Sequence, residues 1–142
     1  MIEVVTGVLI KDGRIFLQQR RGDDKHAPFK WETPGGKVEG NESHHDALRR
    51  EWREELGVWL GQLPELSFWC GEAGQDGNRG GVTVFLVAYR VPERHVASCG
   101  PIPQEGQGTG WFTRAQLLAL RGSLNYGNEA MLDELVKIKE LE

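Results

Sequence analysis

Three glutamates, Glu51, Glu54 and Glu55, fall within little more than one helical turn of a segment whose two ends are both written in the sequence. Ser43 stands three residues before Asp46 in the pattern of a capping box, and Gly57 supplies the left-handed residue that closes a helix, so the spacing predicts a helix that runs to Leu56. At about 100° per residue, Leu48, Trp52 and Leu56 make an apolar stripe, and the three acids lie along its edge across an arc of roughly 100°. Any fold of this chain must dock the stripe and leave three carboxylates at the border of the docked face. With Cβ atoms about 6 Å apart, each ionised neighbouring pair repels by roughly 2 to 3 kcal/mol at an effective dielectric near 20, before solvent reduces it. Arg49 and Arg53 project to the other side, and Arg50 sits beside Glu54 in the cation-first order, worth only about 0.3 kcal/mol. Two readings meet this pattern. One is a solvated face; the other is a hard divalent cation such as Mg²⁺, which takes carboxylate oxygens and shares its remaining positions with water and substrate phosphates. On spacing alone both stay open.

The residues upstream add to the second reading. Gly35-Gly36 lets backbone groups approach a ligand closely, Lys37 follows as a point charge suited to phosphate, and Glu42 stands just before the helix. Loop and helix together make a two-part site. Around it, residues 2–10 and 14–19 read as paired strands, with Asp12-Gly13 between them giving the positive φ of a tight hairpin. Residues 21–29 are a polar loop leading through Trp31 to Pro34-Gly35-Gly36, a breaker expected to form a special backbone turn. Further strands are expected at residues 67–71, 82–91 and 110–112, the first two separated by a Gly-rich turn at 73–81. Thr113 with Gln116 predicts a capped helix through Leu120. Residues 129–141 predict a last amphipathic helix, with Met131, Leu132, Leu135, Val136 and Ile138 near one core-facing side. Helices placed between strands without strict βαβ alternation give an α+β fold or mixed-sheet sandwich.

Composition narrows the partners. The 142 residues, 39% apolar, suffice for one core and show no linker, so residues 1–142 are expected to form one domain. A net charge of -4 gives no electrostatic footprint for duplex nucleic acid, while a local basic patch still suits a small phosphorylated ligand. Cys70 and Cys99 lack metal-ligand spacing and are too few for a disulfide framework, which predicts free thiols. The acidic Glu3 near the amino terminus, and a longest apolar run (residues 82–89) far below the roughly 18 residues that span a bilayer, argue for a cytoplasmic protein without membrane contact.

Gly36, five residues, Glu42, seven residues, then Arg50-Glu51-Trp52-Arg53-Glu54-Glu55-Leu56-Gly57-Val58 resembles the Nudix box at every fixed position. Trp52 stands where the family usually carries Ile, Leu or Val, and it keeps the position apolar. The hairpin, the approach from Trp31 to Gly36 and the order of elements also resemble the wider family, whose fold is an α/β/α sandwich with a mixed sheet and the box as a loop-helix. The resemblance implies hydrolysis of a nucleoside diphosphate linked to another group, with Mg²⁺, or Mn²⁺ as the alternative, held by the box. By position, Glu51, Glu54 and Glu55 would be metal ligands, the Gly35 carbonyl would add another, Arg50 would orient the carboxylates, and Glu42 would support or complete the site. Gly36 and Lys37 would meet the phosphates.

Two outlying segments resemble the MutT type, which removes oxidised nucleoside triphosphates such as 8-oxo-dGTP. Gln104-Glu105-Gly106-Gln107 resembles the loop that brings one more carboxylate near the metal, making Glu105 a further ligand. Asn128-Glu129 resembles the segment whose asparagine reads a purine edge; an Asn amide can do so with a donor and an acceptor, and it can equally serve as a helix N-cap. Arg20 closes the second strand, where it either touches phosphate or stays solvated. His26, His44 and His45 read as surface residues, and Phe68, Trp69 and Phe85 as core aromatics in preference to base-stacking ones.

The resemblance therefore implies a Mg²⁺-dependent nucleoside triphosphate pyrophosphohydrolase, releasing a monophosphate and pyrophosphate; a monomer and a homodimer both stay open. Other Nudix pyrophosphatase substrates remain open: ADP-ribose, a nucleotide sugar, a dinucleoside polyphosphate or a pyrimidine triphosphate. A nucleotide sensor without turnover would not need the complete glutamate cluster.

Overall fold

The apolar run at the amino terminus divides between two sheets. In the computed structural model, which describes residues 2–25, 28–74, 83–97 and 100–142, strand β1 (Ile2–Val8) ends before Leu9, and β2 (Ile10–Lys11) opens a second sheet. One expected strand is therefore two. Both edges of β1 are already taken, by β5 (Gly35–Lys37) antiparallel and β7 (Thr83–Arg90) parallel, so the chain leaves that sheet at Leu9, which is fully buried. Of the amino-terminal run, only the β2 part pairs with β3 (Arg14–Gln19), across the predicted turn, where Asp12 and Gly13 take φ values of 51° and 78°.

The first sheet runs β5-β1-β7-β6, with β6 spanning Trp69–Gly74. The second gathers β4 (Trp31–Glu32) and β8 (Gly108–Phe112) onto the two edges of β3. Strand β7 lies inside the first sheet and reads as a nearly continuous apolar run because both of its faces are covered. The expected turn at 73–81 lies, from residue 75 onward, outside the described residues, as do residue 82 of the expected strand, His26 and Cys99. Cys70 is a free, exposed thiol.

Helix α1 (His44–Leu56) begins and ends where the sequence predicts: Ser43 accepts from the Asp46 amide at 3.1 Å and Gly57 has φ 67°. The box is only half closed, since the Asp46 carboxylate turns to Arg49. Ala47, Leu48, Trp52 and Leu56 bury one stripe against Val5, Leu9, Phe16 and Tyr89. On the other side, α2 (Arg114–Ala119) and α3 (Tyr126–Leu135) cover a second core that includes Val8, Ile15, Leu17, Leu117, Met131 and Leu132. The result is the expected α+β sandwich, helices on both sides of mixed sheet. Thr113 and Gln116 form the predicted capping box of α2. No helix among the described residues is long and apolar enough to cross a membrane.

Two expectations fail here. Helix α3 starts at Tyr126 and stops at Leu135, where residues 129–141 were expected; beyond it, the Arg114 guanidinium donates to the Val136 and Ile138 carbonyls, both at 2.7 Å, and draws the chain back so that Ile138 and Leu141 still reach the core. Pro34-Gly35-Gly36 leads into strand and not an irregular turn. A side chain at Gly35 would overlap the Val5 carbonyl oxygen of the neighbouring strand, so glycine is required by close approach.

Candidate active site

Arg50 is the hub of the helix face. Its guanidinium donates to Glu42 at 2.7 and 3.0 Å, to Glu51 at 2.9 Å and to the Lys37 carbonyl at 3.0 Å, with Glu54 more distant at 3.5 Å. Spacing along the helix predicted only the last and weakest of these, while the family resemblance gave Arg50 the wider role of orienting the carboxylates. Arg49 and Arg53 do project away, toward the Gly61 carbonyl and the Trp59 ring respectively. Arg50 and the amide of Glu39 together hold the Glu42 carboxyl down at about 2, and the same carboxylates hold the guanidinium charged. Glu42 thus has both oxygens committed to bracing Arg50.

Glu55 lies on the inner edge of the same helix. Burial is the largest influence on its carboxyl, followed by a hydrogen bond shared with Glu51; together they push its pKa up to about 9 against the opposing hydrogen bond from Gln18. Two carboxyls in contact and withdrawn from water retain a proton or take a cation in its place. The donors are all oxygen, which suits a hard divalent ion. Among the described residues no three acidic, His or Cys side chains gather closely enough to hold an ion by themselves, so the expected set of Glu51, Glu54, Glu55 and Glu105 is not assembled as one cluster in this structure. Glu54 is about half exposed at the rim. The loop carrying Glu105 is pinned to the end of α1, where the amide of Gln104 and the side chain of Gln107 donate to the Glu55 carbonyl at 2.9 and 3.0 Å. The Glu105 carboxylate itself is exposed and makes no bond to the cluster.

The glycine loop joins this face to a cavity. A side chain on Gly36 would overlap the Glu51 carboxyl, so its absence leaves the acid open to whatever lies over the loop. Gly35, Gly36 and Lys37 form one rim of a cavity of about 220 Å³ whose floor is β1 and β7. Its far wall is the start of α3, with Asn125, Tyr126 and Asn128. Asn128 is buried in the first turn of α3 and donates to Thr33 Oγ1 at 2.9 Å, so it is not the N-cap; Asn125 holds that place and makes no side-chain cap. Arg20 also lines the cavity and donates to Glu32 at 3.3 Å.

Three residues of this site carried no signal that the sequence reading used. Glu32 is 8% exposed, lines the cavity and accepts from Gln18, Arg20 and Asn125. Gln18 and Gln107 are equally buried and complete the network. A charged residue between Trp31 and Thr33 was the available clue. Phe68 and Trp69 pack on the α3 core and Phe85 on the α1 core, as expected, while His45 is half-buried edge-on to Tyr89, not a surface residue.

The carboxyls give a pH signature. In the folded, metal-free protein Glu55 keeps its proton up to about pH 9, whereas the unfolded chain releases it near 4.5. The folded state binds more protons between those values, so stability is full below the lower one and is lost as pH rises toward the upper. Glu42 acts oppositely: its contribution is present above 4.5 and disappears as pH falls toward about 2. Calorimetry in chelator should therefore show a melting temperature that falls from pH 5 to 9, with a flatter profile for Glu55→Gln. Parallel profiles would contradict the assignment of the proton to Glu55.

Comparison with known proteins shows the family and the fold. The model of the NUDIX domain family matches residues 1–135. The chain is 40% identical over 95 residues to the CTP pyrophosphohydrolase of Escherichia coli K12, covering 67% of this chain and 65% of that protein, so the match spans about two thirds of the relative's length. It is 34% identical over 115 residues to the putative 8-oxo-dGTP diphosphatase 2 of Mycobacterium tuberculosis H37Rv, covering 80% of this chain and 74% of the relative. The crystal structure of a MutT NUDIX hydrolase from Burkholderia pseudomallei superposes with a TM-score of 0.72 at 25% identity, covering 94% of this chain and 97% of that one.

Proposed function

The chain belongs to the NUDIX domain family, most like its MutT-type hydrolases, and from that premise we propose that it cleaves a nucleoside triphosphate to the monophosphate and pyrophosphate with Mg²⁺ as its ion. The observation that carries the reading is a continuity: Gly36 abuts the Glu51 carboxyl on one side and lines the cavity on the other, so a nucleotide seated in the cavity delivers its phosphates to the acids of α1.

Glu51, Glu54 and Glu55, with the Gly35 carbonyl, would hold the divalent ion that family members require, and Glu105, exposed on the loop pinned to the end of α1, would reach it from solvent. When bound, that ion supplies the charge that neutralises phosphate oxygens and acidifies a water molecule. The chain's own residues do the rest. Arg50, braced by Glu42, fixes the carboxylate of Glu51 and tethers α1 to the loop carbonyl of Lys37. Lys37 and the Gly36 backbone meet the phosphate chain, Arg20 stands at the cavity wall for the same charge, and Asn128 offers its amide to the base.

A Mg²⁺ concentration 100 times the dissociation constant should stabilise the folded protein by about 2.7 kcal/mol. Calorimetry with and without the ion reads this directly, and a purely structural acidic helix gives no such shift.

A pyrimidine triphosphate is the second reading, favoured by the 40% identity to a protein named for CTP. Initial rates on purine and pyrimidine triphosphates, oxidised purine triphosphates, ADP-ribose, a nucleotide sugar and a dinucleoside polyphosphate decide between them. Turnover of none of the triphosphates would remove the proposal.

A further inference from the structure

The two acids that flank the cavity and the ion site are joined by one amide. Gln18 Nε2 carries two hydrogens and lies 3.1 Å from Glu32 Oε2 and 2.7 Å from Glu55 Oε2. Its orientation is not arbitrary. The Gln18 oxygen accepts from Gln107 Nε2 at 3.2 Å, and turning the amide over would set that oxygen against the Glu32 carboxylate and point two donor groups at each other. Gln18 is 5% exposed and Gln107 9%, so neither bond competes with bulk water. Glu32 is in turn held by Arg20 at 3.3 Å and Asn125 at 2.7 Å, both in the cavity wall.

We propose that Gln18 is a positioning residue that sets the Glu55 carboxylate from the cavity acid Glu32, so that the nucleotide pocket and the ion site share one hydrogen-bonded support. The proposal rests on the reading of Glu55 as an ion-holding acid. A carboxylate on a helix has free rotation about its side-chain torsions, and a fixed donor at 2.7 Å restricts it to one orientation. The donor is itself fixed only because its second hydrogen is held by Glu32 and its oxygen by Gln107. Loss of any of the three contacts frees the other two. Supporting contacts of this kind around metal-holding residues change metal affinity or activity by about 10- to 100-fold when removed.

The test is a set of purified full-length variants, Gln18→Met, Glu32→Gln and their combination, each checked for folding by circular dichroism. Binding of Mn²⁺ without nucleotide is measured by electron paramagnetic resonance, and kcat and KM are measured on the preferred triphosphate. Gln18→Met is expected to weaken Mn²⁺ binding and lower kcat by about tenfold each while KM moves less than about threefold. The combined variant is expected to bind Mn²⁺ no more weakly than Gln18→Met alone, because the Glu32 effect on the ion passes through the same amide. Unchanged Mn²⁺ affinity in Gln18→Met, or effects of the two substitutions that multiply, would overturn the proposal. If Gln18→Met does not fold, Gln107→Met removes the bond that orients the amide and should lower Mn²⁺ affinity in the same direction; no change there overturns it equally. A wild-type protein that binds no Mn²⁺ would instead defeat the reading of the ion site itself.

Discussion

Replacing Glu54 by Gln should lower kcat by about a thousandfold, roughly 4 kcal/mol of barrier, while leaving the protein folded. The two effects separate because of where Glu54 lies. Its side chain is about half exposed, and the bond it accepts from Arg50 is 3.5 Å long, so the pair contributes at most about 1 kcal/mol to stability. Gln keeps the size and a neutral oxygen but removes the charge that a divalent ion requires. Arg50 retains its shorter contacts to Glu42 and Glu51 in the variant, so the helix face stays assembled. Steady-state turnover and a melting curve on the same sample check both halves. Full activity in Glu54→Gln would contradict the assignment of this acid to the ion.

The largest loss of stability is expected at Trp52, the position where the box departs from the residues usual in its family. Trp52 is fully buried, its Nε1 donates to the Pro34 carbonyl at 2.9 Å, and its ring fills the space left by Gly7, where an added Cβ would come within 2.8 Å of the ring. Trp52 and Gly7 are therefore one packing unit, a large side chain on α1 matched to an absent one on β1. Trp52→Ala should cost about 4 kcal/mol, and at this chain length that lowers the melting temperature by more than about 10 °C. Trp52→Leu, which restores the branched residue common in the family, should lose roughly half as much because it refills only part of the space. A urea or thermal titration checks the pair; a cost below about 1 kcal/mol for Trp52→Ala would mean that α1 is not anchored through this stripe. The anchoring matters for chemistry because Glu51 and Glu55 are carried on the same helix, one residue before and three after the tryptophan.

What the sequence revealed, and what it hid, follows from how local each signal is. Both ends of α1 and the start of α2 are set by caps within four residues of the boundary, and each is where Ser43, Gly57 and the Thr113 box place it, while α2 stops at Ala119, one residue before the expected Leu120. The start of α3 was missed because its markers mislead. Asn125 occupies the N-cap but spends its amide on Glu32, and Gly127, which looks like a breaker, sits inside the first turn because a side chain there would come within 2.9 Å of Leu86. The division of the amino-terminal strand was hidden for a different reason. It depends on β5 and β7, far away in sequence, already occupying both edges of β1.

The candidate site divides the same way. The acids of α1 and the glycine loop were legible because the spacing of charges along one helix is a local property. Arg50 was underestimated because three of its partners, Glu42, Glu51 and the Lys37 carbonyl, come together only once the loop folds over the helix. Gln18, Glu32 and Gln107 lie on β3, on β4 and beside β8, and nothing in their separate neighbourhoods shows that they meet. Glu105, expected as a ligand from resemblance, is held near α1 by its backbone neighbours while its carboxylate stays in solvent.

The central claim is that the acids of α1 and the cavity beside Gly36 act together on the phosphate chain of a nucleoside triphosphate. Phosphorus-31 nuclear magnetic resonance of a reaction with Mg²⁺ and the preferred triphosphate reads that claim most directly, since it identifies the bond that breaks. The account predicts resonances of a nucleoside monophosphate and pyrophosphate growing together in equal amounts. A nucleoside diphosphate with orthophosphate, or a triphosphate spectrum unchanged over the same period, would contradict it.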